Sequence, residues 1–365
     1  MPLSIGESHL ASSRITDRFI KLDRSLFRKT ADQIDNFKVI KNGFISNMKI
    51  LNFLFVIHFI KIVKKFAFLI WYLARFLALS IYRKPKHIKN EVVLITGSGG
   101  YLGRQLVCDF AKQGAHVILW DYNNEENNKT CEYVRSIGYS NCHAYKVDMT
   151  NESEVRECAA KVKAKHGFIS MIVLAAAIPC EVESIFSMRD SEKLHKTFKL
   201  FYESHLWMYQ EFVPEMIEKN HGHLVVISSE TVFTKLAFTH MYSGMKSAQA
   251  KLFECVDSEL NYLPDNKVKS TLVYLGGLRK GISTTMVQSL HPNSKYLEKF
   301  GLTSEYASKL IMKSVLRNKK YIYLPGYVYL IVFIKYFLPI CFSELLFRSR
   351  NVINNDNLIV HKHVY

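Results

Sequence analysis

The stretch VVLITGSGGYLGRQL, Val92–Leu106, constrains this chain more than any other part of it. An apolar, β-favouring run ends in four closely spaced glycines, Gly97, Gly99, Gly100 and Gly103, and a helical pattern follows. Glycine at a strand-to-helix turn accepts positive φ and lets the backbone approach a diphosphate with no side chain in the way. The following helix turns its first amides and the positive end of its dipole toward that anion. Alone, such a loop is an ordinary tight turn. Between an apolar strand and a helix it marks a phosphate-binding unit, with Thr96, Tyr101 and Leu102 completing its surface.

The pattern continues downstream. Short apolar runs at Val92–Thr96, His116–Trp120, His143–Val147, Ser170–Ala175, His223–Ser228, Ser270–Leu275 and Tyr321–Leu324 read as strands. Amphipathic segments such as Glu154–Lys165 and Ser247–Leu260 lie between them. Near-continuous apolar strands alternating with helices predict a parallel sheet covered on both faces. The expected fold class is therefore α/β, a doubly wound parallel sheet of the Rossmann type, with ligands beyond the carboxyl ends of the strands.

Outside that core the composition changes. Ile50–Ile60 is apolar apart from Asn52 and His58, and Phe66–Tyr82 carries Arg75 as its one charge. Lys61, Lys64 and Lys65 separate the two runs. Neither reaches the ~18 uninterrupted apolar residues of a clear span. A re-entrant hairpin, a monotopic anchor and a tilted span with snorkelling lysines all fit, as does a pair of buried helices. The expected organisation is a polar extension over 1–44, membrane-anchoring helices within 45–88, the α/β domain over 89–326, and an apolar membrane-associating tail over 327–365. That tail either makes a second membrane contact or covers the substrate mouth.

The net charge of +17 is unevenly placed: residues 1–90 hold 17 Lys/Arg against 5 Asp/Glu. Basic residues beside apolar runs suit an anionic lipid surface, at about 1 kcal/mol per charge near the headgroups. The same charges flank greasy segments and line no polar face, which argues against nucleic acid as a partner. The seven cysteines, Cys108, Cys131, Cys142, Cys158, Cys180, Cys255 and Cys341, include no CxxC pair. Neither a disulfide framework nor a zinc site is expected, and a reduced, cytosol-facing domain is.

Three further features carry chemistry. Asp121 closes the strand HVILW; a carboxylate there accepts from both adenosine ribose hydroxyls and repels a 2′-phosphate, favouring NAD over NADP. A helix cap or turn is the plain alternative for Asp121 and for Asp148, whose functional reading is an adenine contact. Tyr242 and Lys246 are four apart in YSGMK and share a helix face, so an ammonium sits near a phenol and lowers its pKa. The phenol then exchanges a proton with an alcohol or carbonyl oxygen, and Ser229, at a strand's carboxyl end, holds that oxygen.

With the glycine loop, strand-end Asp121, Ser229, Tyr242 and Lys246 in this order, the chain resembles the short-chain dehydrogenase/reductase family. Its segments EVVLITG, VILWDYN, FVPEMIEKNHGHLVVISS and KKYIYLP resemble the membrane-anchored retinol and 17-beta-hydroxysteroid dehydrogenase branch. The resemblance implies oxidation of a hydrophobic alcohol (a retinoid, sterol or long-chain lipid) or the reverse. It implies Tyr242 as acid/base, Lys246 lowering its pKa and binding ribose, and Ser229 orienting substrate. It also implies residence at the endoplasmic reticulum membrane or lipid droplets, and a homodimer through the helices carrying Ser204–Glu218 and Ser247–Leu260.

Four departures accompany the resemblance. Tyr101 stands where the family's second motif glycine falls, so TGSGGYLG follows the spacing of extended relatives instead. Leu174-Ala175-Ala176-Ala177 replaces an Asn-Asn-Ala-Gly segment and drops polar support for the cofactor-side backbone. Phe201 occupies the place of an Asn that holds a relay water in relatives, and Leu275-Gly276 replaces Pro-Gly. A catalytically weak relative serving as a lipid-surface binding protein, and a reductase of fatty-acyl ketones, are the alternative readings. The substrate choice is expected in 277–299 and the apolar tail.

Overall fold

The computed structural model describes residues 84–179, 182–290 and 295–337, with helical positions scattered between 58 and 71. Expectations for 1–44, for most of the anchor region and for the tail after 337 lie outside the described residues. Among the described residues no helix is long and apolar enough to cross a membrane. The chain divides into two units, Met1–Ile81 and Tyr82–Tyr365.

The second unit holds a seven-stranded sheet. Its strands are β1 (Val92–Thr96), β2 (His116–Asp121), β3 (Cys142–Lys146), β4 (Met171–Leu174), β5 (His223–Ser229), β6 (Lys269–Leu275) and β7 (Tyr321–Leu324). The order is β3-β2-β1-β4-β5-β6-β7. Every pairing is parallel, with Val92 beside His116 and Val93 beside Met171 at the centre. The reversal of strand order between β1 and β4 opens the crevice where such sheets bind ligands. This is the expected doubly wound sheet.

Alternation along the strands supplies two cores. Leu94, Ile118, Trp120, Ile172 and Leu224 face one layer, built on α3 (Glu152–His166), α5 (Ser204–Glu218) and α6 (His240–Tyr262). Val93, Ile95, Val117, Leu119 and Val173 face the other, built on α1 (Tyr101–Lys112), α2 (Asn124–Ser136) and α9 (Ser304–Val315). The central strands β1, β2 and β4 are buried on both faces and apolar at nearly every position, while edge strand β3 is half-buried. Local signals start the helices: the Asn123, Asn151 and Thr303 side chains accept backbone amides of the first turns of α2, α3 and α9.

Between β4 and β5 lie α4 (Ser191–Phe198), a π-helical turn (Lys199–Glu203) and α5, in one nearly continuous rod. After β6 come α7 (Ile282–Leu290) and α8 (Tyr296–Phe300), and after β7 comes α10 (Tyr327–Phe337). Helix α10 is clipped to the segment following β5: Tyr327 Oη donates to Glu230 Oε1 at 3.2 Å and Lys335 Nζ donates to the Val232 carbonyl at 2.9 Å. Phe233 packs edge-on against Tyr274, with ring centroids 4.6 Å apart, and also meets Tyr336. The opposite side of α10 exposes Tyr329, Leu330, Phe333 and Phe337.

At the other end of the sheet a buried chain of polar groups anchors the entering segment. Lys86 Nζ donates to His223 Nδ1 at 2.8 Å, so the ring proton lies on Nε2, which faces Thr271 Oγ1 at 2.8 Å. Thr271 in turn donates to the Lys319 carbonyl at 2.7 Å. Burial, and then the Lys86 charge, hold His223 well below the usual imidazole range.

Candidate active site

The carboxyl ends of the strands open onto one cavity of about 1250 Å³. That exceeds the ~300–1,000 Å³ usual for a single small ligand and suits a dinucleotide with a second molecule beside it. Gly97, Gly99, Gly100, Tyr101, Leu102, Gly103, Asp121, Asp148, Ala175, Ser229, Tyr242, Lys246 and Gly276 all line it. Thr96 alone among the expected residues stands behind the wall.

The glycine loop is shaped by close approach. Gly97 has φ of +70°, and a Cβ there would lie 2.7 Å from Ala176 Cα. A Cβ on Gly103 would lie 2.0 Å from the Gly97 carbonyl oxygen, so α1 packs onto the loop only through glycine. Gly100 caps α1 without a side-chain acceptor, leaving its first-turn amides for an anion. Tyr101, at the first helical position, is 59% exposed and its ring reaches toward Gly281 across the cavity. It therefore takes no room from the loop itself.

Asp121 ends β2 and is largely buried. Its Oδ2 accepts from the Gly99 amide at 2.9 Å and its Oδ1 from the Asn123 amide at 2.9 Å. One carboxylate thus ties the loop to the strand while keeping lone pairs for a ribose. Arg104, beside the loop, pairs with Glu126 at 2.6 Å. Asp148, just past β3, accepts from the Thr150 amide and hydroxyl, both at 2.8 Å; this is the turn role weighed against an adenine contact.

The alanine segment keeps polar support after all, from a direction the sequence did not show. Thr96 Oγ1 accepts from the amides of Ala175 and Ala176, each at 3.1 Å. The expected loss at 174–177 is corrected: the hydroxyl on β1 supplies the bonds.

Ser229 ends β5, and its Oγ accepts from the Thr231 amide at 3.2 Å. Tyr242 and Lys246 lie in the first turns of α6. Lys246 is 2% exposed and its Nζ sits 5.9 Å from the Tyr242 ring centroid. It donates to the Ile227 carbonyl at 2.9 Å and to Gln249 Oε1 at 3.1 Å. Ser228 Oγ donates to the Lys246 carbonyl at 3.2 Å, pinning α6 to the strand end. The π-helical turn places Phe201 edge-on to Tyr242, centroids 6.0 Å apart, with its face 4.5 Å from Lys246 Nζ. A cation over an aromatic face is a stabilising contact.

Two residues escaped the sequence reading because no spacing marks them. Gln249 joins Lys246 to His205 on α5, with amide nitrogen and ring Nε2 2.9 Å apart. Glu230, directly after Ser229, faces Gly276 and Tyr327. Burial pushes its carboxyl up, against the Tyr327 hydrogen bond. Apolar side chains, including Leu200, Leu236, Met286 and Ile331, line the rest of the cavity.

A profile of the short chain dehydrogenase family matches residues 91–294. Epidermal retinol dehydrogenase 2 of Mus musculus is 34% identical over 264 residues, 71% of this chain and 82% of that protein. The human 17-beta-hydroxysteroid dehydrogenase 13 is 30% identical over 291 residues, 80% of this chain and 93% of that protein. Among solved structures, a Burkholderia phymatum short chain dehydrogenase/reductase in complex with NAD superposes with a TM-score of 0.60 at 16% identity, covering 68% of this chain and 93% of the other. A metagenomic short-chain oxidoreductase in complex with NADP gives 0.54 at 16% identity, covering 66% and 97%. With this sheet and this cavity, those matches establish the family: the chain belongs to the short-chain dehydrogenases/reductases, in their retinol and 17-beta-hydroxysteroid dehydrogenase branch, and is an oxidoreductase working between hydroxyl and carbonyl.

Proposed function

We propose that the chain interconverts an apolar alcohol and its carbonyl using NAD, with Tyr242 as the general acid/base. The observation that carries this reading is the opening of Ser229, Tyr242 and Lys246 onto the same cavity as the glycine loop and Asp121. The loop fits a dinucleotide: at Gly97 and Gly103 the backbone leaves no room for a side chain, and α1 presents uncapped amides beyond them. When bound there, the nicotinamide supplies the hydride acceptor or donor. Asp121 would accept from the ribose hydroxyls, and the nearby Arg104 guanidinium is engaged by Glu126, so a 2′-phosphate meets a carboxylate first.

The protein's own part is proton handling and orientation. In the oxidative direction Ser229 Oγ holds the substrate hydroxyl, Tyr242 Oη takes its proton, and Lys246 stabilises the phenolate. In reduction the same proton returns to the carbonyl oxygen. Apolar walls near Met286 and Ile331 favour a retinoid, sterol or long-chain substrate. The basic, apolar N-terminal region and the exposed aromatics of α10 support work at a lipid surface, of endoplasmic reticulum or lipid droplets.

The test is NAD reduction by a membrane preparation offered a panel of apolar alcohols. Tyr242→Phe is expected to lower kcat by about 10²–10⁴-fold; equal rates for wild type and variant would overturn the proposal. A second reading, a weak or inactive relative that binds cofactor at a lipid surface, is favoured by Phe201 in the turn beside Tyr242. Cofactor binding with no Tyr242-dependent turnover on any alcohol or ketone of the panel would select it.

A further inference from the structure

Helix α6 presents Tyr242, Lys246 and Gln249 inward, at i, i+4 and i+7. Gln249 and His205 are 0% and 3% exposed, as buried as any core leucine. An ammonium has donors and no acceptor, so the contact of Lys246 Nζ with Gln249 requires the amide oxygen to point at Lys246. The amide nitrogen must then point at His205, 2.9 Å away, and can bond there only to an unprotonated ring nitrogen. His205 Nε2 therefore carries the lone pair and Nδ1 the hydrogen. A single charge at Lys246 fixes the orientation of one amide and the tautomer of one imidazole, on two helices.

The surroundings hold the ammonium end of this arrangement, while His205 Nδ1 is buried with no hydrogen-bond partner among the described residues. Lys246 also donates to the Ile227 carbonyl and lies over the Phe201 face. His205 faces Lys246 and Gln249 from α6 and the Tyr209 ring edge from its own helix, at 6.2 Å. Burial, then the Lys246 charge, hold His205 down at about 3, and burial keeps Tyr209 protonated. Neither His205 nor Tyr209 therefore changes charge near neutrality beside Lys246.

We propose that Gln249 and His205 are positioning residues that bracket the Lys246 ammonium against Tyr242, at a site where Phe201 leaves no amide on the neighbouring turn. The inference rests on the acid/base reading of Tyr242 and Lys246. Gln249 contributes the acceptor that aims the ammonium, and His205 contributes the acceptor that keeps Gln249 from turning.

Two measurements test it, on the full chain in detergent or nanodiscs. The first is the imidazole ¹⁵N spectrum, with the His205 signals assigned by their loss in His205→Phe. A neutral Nδ1–H tautomer that does not titrate between pH 5 and 9, and that shifts in Gln249→Met, supports the bracket. An Nε2–H tautomer, or a titration near the ordinary imidazole value, overturns it. The second is the pH dependence of alcohol oxidation. Gln249→Met is expected to lower kcat about tenfold with KM for the alcohol within about twofold. The acid limb of its profile should move to higher pH, because a misdirected ammonium stabilises the Tyr242 phenolate less. Unchanged kcat and profile, in an enzyme that Tyr242→Phe inactivates, overturn the bracket. Absence of turnover in wild type would sink the acid/base reading alone, while the spectrum still decides the bracket.

Discussion

One added methyl group separates the glycines of the loop from the glycine between Tyr242 and Lys246. At Gly103 a Cβ collides with the Gly97 carbonyl, whereas at Gly244 nothing lies within 4 Å. Gly103→Ala is expected to destabilise the fold by about 2–3 kcal/mol. Gly244→Ala, on an open helix face, is expected to stabilise it by up to ~1 kcal/mol. Urea melts of the two variants check both signs. The buried histidines make a second prediction. His205 and His223 stay neutral in the folded state, while their unfolded forms protonate near pH 6.5. The unfolded state therefore binds more protons as pH falls. Stability is retained above about pH 6.5 and lost below it, by up to ~1.4 kcal/mol per pH unit for each ring. Urea midpoints at pH 7.5, 6 and 5 measure this, and a flat profile would contradict the buried neutral rings.

Among the elements, legibility followed the reach of the forces involved. Each strand lies within a residue of its expected ends. Strands β1, β2 and β4 are legible because a parallel strand buried on both faces writes its length in apolar residues. Edge strand β3, half-buried, is marked mainly by its place between two helical patterns. The amphipathic pattern of α6 covers Ser247–Leu260, and the YSGMK spacing alone extends the helix back to Tyr242. The helix begins at His240, where polar residues face the cavity and the amphipathic pattern fades. The π-helical turn left no local signal in KLFYE, and Gln249 sits in a helix with no motif to mark it. Both depend on which helix packs on which, information that sequence spacing does not hold. The same applies to Phe233, which no pattern singles out although it joins α10 to the sheet through Tyr274, Tyr323 and Tyr336. Phe233→Ala is expected to cost about 3–4 kcal/mol. It should also open Tyr327–Phe337 to proteolysis earlier than the rest of the domain.

At the scale of the whole chain, the proposed work at a lipid surface draws on both charge and apolar surface. The excess of basic residues precedes the sheet, and α10 carries exposed aromatics beyond it. If these act on lipid, binding has an apolar part that salt leaves alone and an electrostatic part that it screens. Flotation with anionic vesicles is expected to weaken between 0.1 and 1 M salt, as the Debye length falls from about 10 to 3 Å. Leu330→Glu with Phe333→Glu should weaken it at every salt concentration. Vesicle binding indifferent to both would exclude α10 as a lipid contact.

The hydroxyl of Thr96 also bears on time. By accepting from Ala175 and Ala176 it joins the ends of β1 and β4, which are already paired through Thr96 and Leu174. With both bonds made, those two amides are expected to exchange with solvent only when the central strands part. Ligand sites usually belong to the least protected regions of a protein, opening far more readily than its core. Here two backbone amides at the cavity wall should rank with the slowest in the chain, exchanging at the pace of global unfolding before any ligand arrives. The cavity wall at Ala175 and Ala176 is thus set when the sheet folds.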